Sequence, residues 1–156
     1  MWEYIINNGF RVPLQMLILS LIPIPFLYCV NLISTSTIIG IMFGFVINFD
    51  FHKGLIIIVS SIPHAIVEIL AMCFVVSSLF KLNQAIVRKI SNLFRKEKKQ
   101  NVSFKQALIQ LIKTYILIAL PLYIIAAFLE TYFTEWIYSI LTVSYTHLTL
   151  PTTPYV

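Results

Sequence analysis

Three ionisable side chains stand in strongly apolar surroundings: His64 and Glu68 in "SSIPHAIVEIL" (60–70), and Glu130 in "LPLYIIAAFLETYFT" (120–134). At i and i+4 on a helix, His64 and Glu68 share one face. An imidazole and a carboxylate can pass a proton, hold an ion or pair with each other, and each is costly when left alone in hydrocarbon. A second role fits the same residues. Pro63 suits the first helical position, and a polar pair just after it can satisfy the backbone groups that the proline frees. The residues leave both roles open. A metal centre is not expected, because "HAIVE" offers two ligands, His52 falls in a polar turn, and the H-E-x-x-H pattern is absent. With no Gly-rich phosphate loop and no Ser/His/Asp set either, no cofactor and no catalytic residue are assigned, and a non-enzymatic protein is expected.

The surroundings follow from composition. Of 156 residues, 59% are hydrophobic and 11% charged, and the mean hydropathy is +0.90. A soluble domain of this length could not bury so much apolar surface, which leaves a polytopic helical membrane protein. Cys29 and Cys73 both lie in apolar runs and read as packing residues rather than a disulfide framework. The net charge of +5 is unevenly placed: of eleven Lys and Arg residues, only Arg11, Lys53 and Lys113 lie outside the stretch from Lys81 to Lys105. That cluster reads as a cytoplasmic loop by the positive-inside rule. Nucleic acid is excluded as a partner, since no aromatic residues or base-reading motif interleave with the charges. Anionic lipid headgroups are the natural counterpart.

The expected fold is all-α: a transmembrane bundle with about four membrane segments, near residues 12–34, 36–50, 55–80 and 107–130, in a single domain covering 1–142. Pro23 and Pro25 are expected to kink the first segment, and Pro63 and Pro121 to bend the third and fourth. Gly40 and Gly44 form a G-x-x-x-G pair, an expected site of helix packing. "DFHKG" (50–54) reads as a polar turn. In the 82–105 loop, Leu82, Ile86, Ile90 and Leu93 recur at helical spacing, which predicts an amphipathic helix on the cytoplasmic membrane surface or against the bundle. Met1–Arg11 lacks a basic start and a compact apolar core, so no cleavable signal peptide is expected.

Counting from this loop places the ionisable residues. Backward from Lys81, His64 and Glu68 lie at depths of about 26 and 20 Å; forward from Lys113, Glu130 lies at about 26 Å, taking ~1.5 Å per residue. Three side chains on two antiparallel helices thus reach a similar level toward the outer face. His64, Glu68 and Glu130 are expected to form one polar cluster there.

Two of these stretches carry a family resemblance. "IPHAIVEILAM" (62–72) resembles the P-H-G-x-x-E-x-x-A segment of the stage II sporulation protein M family of integral membrane proteins. "LPLYIIAAFLETYFT" is similar to that family's A-A-x-x-E-x-x-x-T segment, and "YIINNGF" (4–10) to its asparagine-containing entry to a span. The chain departs from the pattern at Ala65, where the family has glycine, and at Ile69, where it has a second proline. Family members also tend to carry an additional N-terminal span without a counterpart here. The resemblance implies a multi-pass protein of the cell membrane that acts as a scaffold or anchor. The named member anchors a complex of two cell-wall hydrolases at the septal membrane during engulfment, so such hydrolases or other envelope proteins are the implied partners. A small permease or channel component, using His64, Glu68 and Glu130 to carry protons or bind a substrate, is the alternative.

Composition shifts abruptly at "VSYTHLTLPTTPYV" (143–156), which resembles the in-frame translation of a transposase-type sequencing adapter. The native sequence is expected to give way to adapter near Thr142, where the assembled contig runs out, so the chain reads as a fragment and His147 is left out of the functional reading.

Overall fold

A computed structural model describes residues 1–95, 100 and 102–149. Lys96, Lys98 and Lys99 of the basic loop, and the end of the adapter-like tail, lie outside the described residues. Every described element is helical, as hydrocarbon demands: with no water to bond to, backbone N–H and C=O groups must satisfy one another within the segment. Four helices result. Helix α1 covers residues 2–21 without a break, α-helical over Trp2–Tyr4 and Val12–Leu21 and widened to π geometry over Ile5–Arg11. Helix α2 is Val30–Phe49, and α3 is Phe51–Phe94. Helix α4 covers residues 104–149, with π stretches at Tyr115–Ala119 and Leu129–Phe133. Among the described residues, three helices are long and apolar enough to cross a membrane: Leu27–Phe49, Phe51–Phe94 and Phe104–Val143.

The first expected segment, 12–34, is corrected. Instead of one kinked helix, the chain ends α1 at Leu21 and starts again at Leu27. Prolines at 23 and 25 push both Ile22 and Ile24 away from helical geometry, because the residue before a proline clashes in the α region. Ile22 is accordingly extended (φ −72°, ψ 132°), and Phe26 turns the chain through a left-handed conformation (φ 64°). The broken end is covered from α3. Asn83 is buried and its amide donates to the Ser20 carbonyl at 2.8 Å and the Ile22 carbonyl at 3.0 Å.

Two further expectations change. "DFHKG" is hardly a turn, since only Asp50 is non-helical: its carboxylate accepts the Lys53 backbone N–H at 3.0 Å and caps α3. The amphipathic stretch is helical and lies against the bundle, with Leu82 in the core and Ala85 buried, but it is not a separate helix. Residues 82–94 continue α3 in one 44-residue helix, about 66 Å long at ~1.5 Å per residue.

Helix α3 is the hub. The core joins Met16 of α1, Ala71, Met72, Val75, Leu79 and Leu82 of α3, and Ala107, Leu111, Ala119 and Tyr123 of α4, with Tyr28 from the connection. Several of these residues are small, which suits membrane packing, where close backbone approach replaces the hydrophobic drive. Helix α2 has no fully buried residue; one side of it packs along α3, with Leu32 partly buried against the core, and the other side is exposed. It is joined to α3 at Gly54, where a Cβ would lie 2.8 Å from the Val46 carbonyl oxygen and 2.9 Å from Ile47 Cα. A Cβ built on Gly40 or Gly44 meets nothing within 4 Å outside its own helix among the described residues, so the expected G-x-x-x-G packing is not made among them.

Candidate functional site

The three helices of the core close around one polar spot. His64 and Glu68 project from α3, Tyr123 and Glu130 from α4, and Tyr4 and Asn8 from α1, and together they line a cavity of about 10 Å³. That is the space of a single water. Local sequence explains the convergence. His64 and Glu68 are one turn apart, as are Tyr4 and Asn8; Tyr123, Ala127, Glu130 and Thr134 follow at three- and four-residue steps along α4. Ala126 and Ala127 are nearly bare of solvent and let α4 approach closely.

His64 and Glu130 meet directly, Nε2 against a carboxylate oxygen, with side chains 16% and 24% exposed. A carboxylate only accepts, so Nε2 carries the hydrogen when Glu130 is ionised. On the far side of the ring, Thr134 Oγ1 lies 3.3 Å from His64 Nδ1 and also reaches the Leu129 carbonyl at 3.2 Å. A hydroxyl both donates and accepts, so Thr134 can turn to give its hydrogen to a neutral imidazole or receive one from a charged ring. Tyr4 lines the same cavity as the Glu130 carboxylate. Glu68 is half-buried on the cavity wall and forms no direct hydrogen bond to His64 or Glu130. A one-water bridge across the cavity is the geometry open to it. The Tyr123 hydroxyl is buried there without a partner among the described residues.

The prolines and the π stretches belong to the same design. Pro63 lies inside α3, which runs through it unbroken. Pro121 follows the π stretch Tyr115–Ala119, whose wider turn makes room in the hydrogen-bond ladder. The hydroxyl of Tyr115, in that stretch, donates to the Gly9 carbonyl of α1. Glu130 itself sits in the stretch Leu129–Phe133. Widened turns thus occur on both helices that clasp α1 to α4. Ala65 is buried, so the position accepts a Cβ in this chain.

The stretches "YIINNGF", "IPHAIVEILAM" and "LPLYIIAAFLETYFT" therefore supply nearly all the polar groups of one site. The family described as stage II sporulation protein M matches residues 1–135. The chain belongs to that family. No curated protein matches it, and no solved structure does. As a member of the stage II sporulation protein M family it is a membrane protein, and its motif residues converge on the cavity rather than scattering over the bundle.

Reasoning from sequence named His64, Glu68 and Glu130 but missed Tyr4, Asn8, Tyr123 and Thr134. The i, i+4 spacing of Tyr4 with Asn8, and the helical spacing of Thr134 with Glu130, were the available signals. Among the described residues, no group of three or more His, Cys, Asp and Glu side chains is placed to hold a metal ion.

Proposed function

We propose that this protein is a non-enzymatic scaffold of the cell membrane that holds other envelope proteins, cell-wall hydrolases among them, with its basic end toward the cytoplasm. The observation that carries this reading is α2. A full membrane-length helix has no fully buried residue, and its exposed Ser36, Gly40 and Gly44 recur every fourth residue. Small residues at that spacing let a second helix approach closely. The face of α2 turned away from α3 is thus open along its length to a partner.

The polar cluster supports the same reading. A cavity of about 10 Å³ has no room for a transported solute, and the His64–Glu130 pair fastens α3 to α4. The cluster then acts as a clasp that keeps the platform rigid beside α2.

The test uses the tagged full chain in its native membrane. Gly40→Leu with Gly44→Leu should abolish co-purification of envelope partners in mild detergent without lowering the thermal unfolding midpoint of the chain, since leucine favours the helix over glycine. Proteoliposomes of the parent protein should show no pH-driven uptake. Reproducible proton-coupled flux, lost in Glu130→Gln, would replace the scaffold with a permease.

A further inference from the structure

The turn between α1 and α2 leans on the basic end of α3, and a groove of about 310 Å³ lies between them. Its walls include Phe26, Phe80, Gln84, Arg88, Ser91 and Arg95, and no carboxylate among the described residues. The sequence has no Asp or Glu at all from Ile69 to Lys96. Arg88 is half-buried, and one of its nitrogens donates to the Gln100 carbonyl at 3.4 Å. A guanidinium has five N–H donors, so this bond uses only part of the capacity that Arg88 brings to the groove wall. Neither Arg88 nor Arg95 is ion-paired among the described residues.

The groove sits where the apolar run of α3 ends. Phe80 is the last residue of that run and Lys81 the first charge after it. Arg88 follows about two turns later, about 10 Å further along the axis at ~1.5 Å per residue. Side chains on a helix lean toward its N-terminus, which here is back toward the bilayer. A long arginine therefore brings its charge to headgroup level. At the mouth, the Phe26 ring stacks on Phe80 with centroids 6.1 Å apart, and both rings are exposed. Phe26 is the sole non-glycine residue with positive φ among those described. For a bulky side chain that is an outlier, and such strain concentrates at ligand sites.

We propose that this groove binds the phosphate headgroup of an anionic phospholipid from the leaflet at the basic end of the bundle. Arg88 grips the phosphate, as a planar guanidinium does with paired N–H bonds. Arg95 adds charge from the outer end, and the acyl chains leave over Phe26 and Phe80 into the hydrocarbon. An acidic protein segment would suit the arginines but not the two rings turned toward lipid. A soluble phosphate would have no use for those rings either.

Native mass spectrometry of the full chain in detergent tests this, with phosphatidylglycerol and phosphatidylcholine as probes. Phosphatidylglycerol should be retained in preference, and each of Arg88→Gln and Arg95→Gln should weaken it about fivefold, the effect of one basic residue at a charged membrane surface. Lys53→Gln, at the opposite end of α3, should change nothing. Arg88 also holds the Gln100 carbonyl, so a loss of folding in Arg88→Gln shifts the decision to Arg95→Gln, which leaves that bond intact. Equal retention of the two lipids, an equal fall in Lys53→Gln, or an unchanged affinity in Arg95→Gln overturns the proposal. So does displacement of the lipid by glycerol phosphate or by a polyglutamate peptide, which would make the ligand a soluble anion or an acidic protein segment.

Discussion

Gly54 and Gly40 lie in neighbouring helices, and alanine at the two positions should have opposite effects. At Gly54 a Cβ falls 2.8 Å from the Val46 carbonyl oxygen and 2.9 Å from both Ile47 Cα and Ile47 N, while ordinary contact begins at 3.4 Å. All three atoms are backbone, so no rotamer change relieves the overlap. The helices must separate by roughly half an ångström, yet a single non-helical residue, Asp50, joins them. Overpacking of this kind costs about 1–3 kcal/mol. Against it stands the helical preference for Ala over Gly, about 1 kcal/mol. At Gly40 nothing lies within 4 Å, so only the preference acts. Gly40→Ala should therefore stabilise the chain by up to about 1 kcal/mol. Gly54→Ala should come out lower by the overlap alone. At about 2–4 °C per kcal/mol for a chain of this size, the two midpoints should differ by about 2–12 °C. Thermal unfolding of both variants in one detergent gives the comparison. Equal shifts of the same sign would show that α2 and α3 do not meet at Gly54 as described.

Asn83 makes a second test, because its amide covers two backbone carbonyls at the end of α1. Asn83→Leu should cost about 1–3 kcal/mol for each carbonyl left bare, read as a lowered unfolding midpoint and faster hydrogen exchange near Leu21. At the other end, the Lys53 backbone N–H bonds the Asp50 carboxylate and holds its carboxyl below the ordinary range, with the Lys53 ammonium 3.7 Å away adding to the effect. A carboxyl lowered in the folded state stabilises above its unfolded pKa, near ~3.9, and loses that contribution as pH falls through the folded value. The midpoint difference between the parent and Asp50→Ala should thus be full at neutral pH and shrink below about pH 4.

The polar site was partly legible because depth along a helix can be counted. Residue number from a charged boundary gives axial position at a fixed rise, and that count set His64 and Glu130 at one level. It gave no rotation about the axis, so it could not tell that Glu130 would touch His64 while Glu68 faced the cavity wall. Nor could it place α1, whose Tyr4 and Asn8 complete the site, because both residues precede the first expected segment, 12–34. The glycines teach the same point. G-x-x-x-G spacing marks a face fit for close packing, but Gly40 and Gly44 face away from the chain while Gly54, with no motif around it, carries the contact.

By itself the sequence determined the class, the helical content, the polar residues and the family pattern, since a bilayer restricts spanning segments to a few forms and charges each buried ionisable group heavily. Its prolines determined that the chain must change direction near Pro23 and Pro25, though not whether by kink or by break. The tertiary structure alone decided that the break is covered by Asn83, that α1, α3 and α4 share the core while α2 stands outside it, and that Tyr4, Asn8, Tyr123 and Thr134 join His64, Glu68 and Glu130. Those outcomes depend on which faces of different helices meet, and such contacts join residues 60 or more positions apart, as Asn83 with Ser20 and His64 with Thr134 do. Local spacing constrains each helix separately; only packing fixes their rotations against one another.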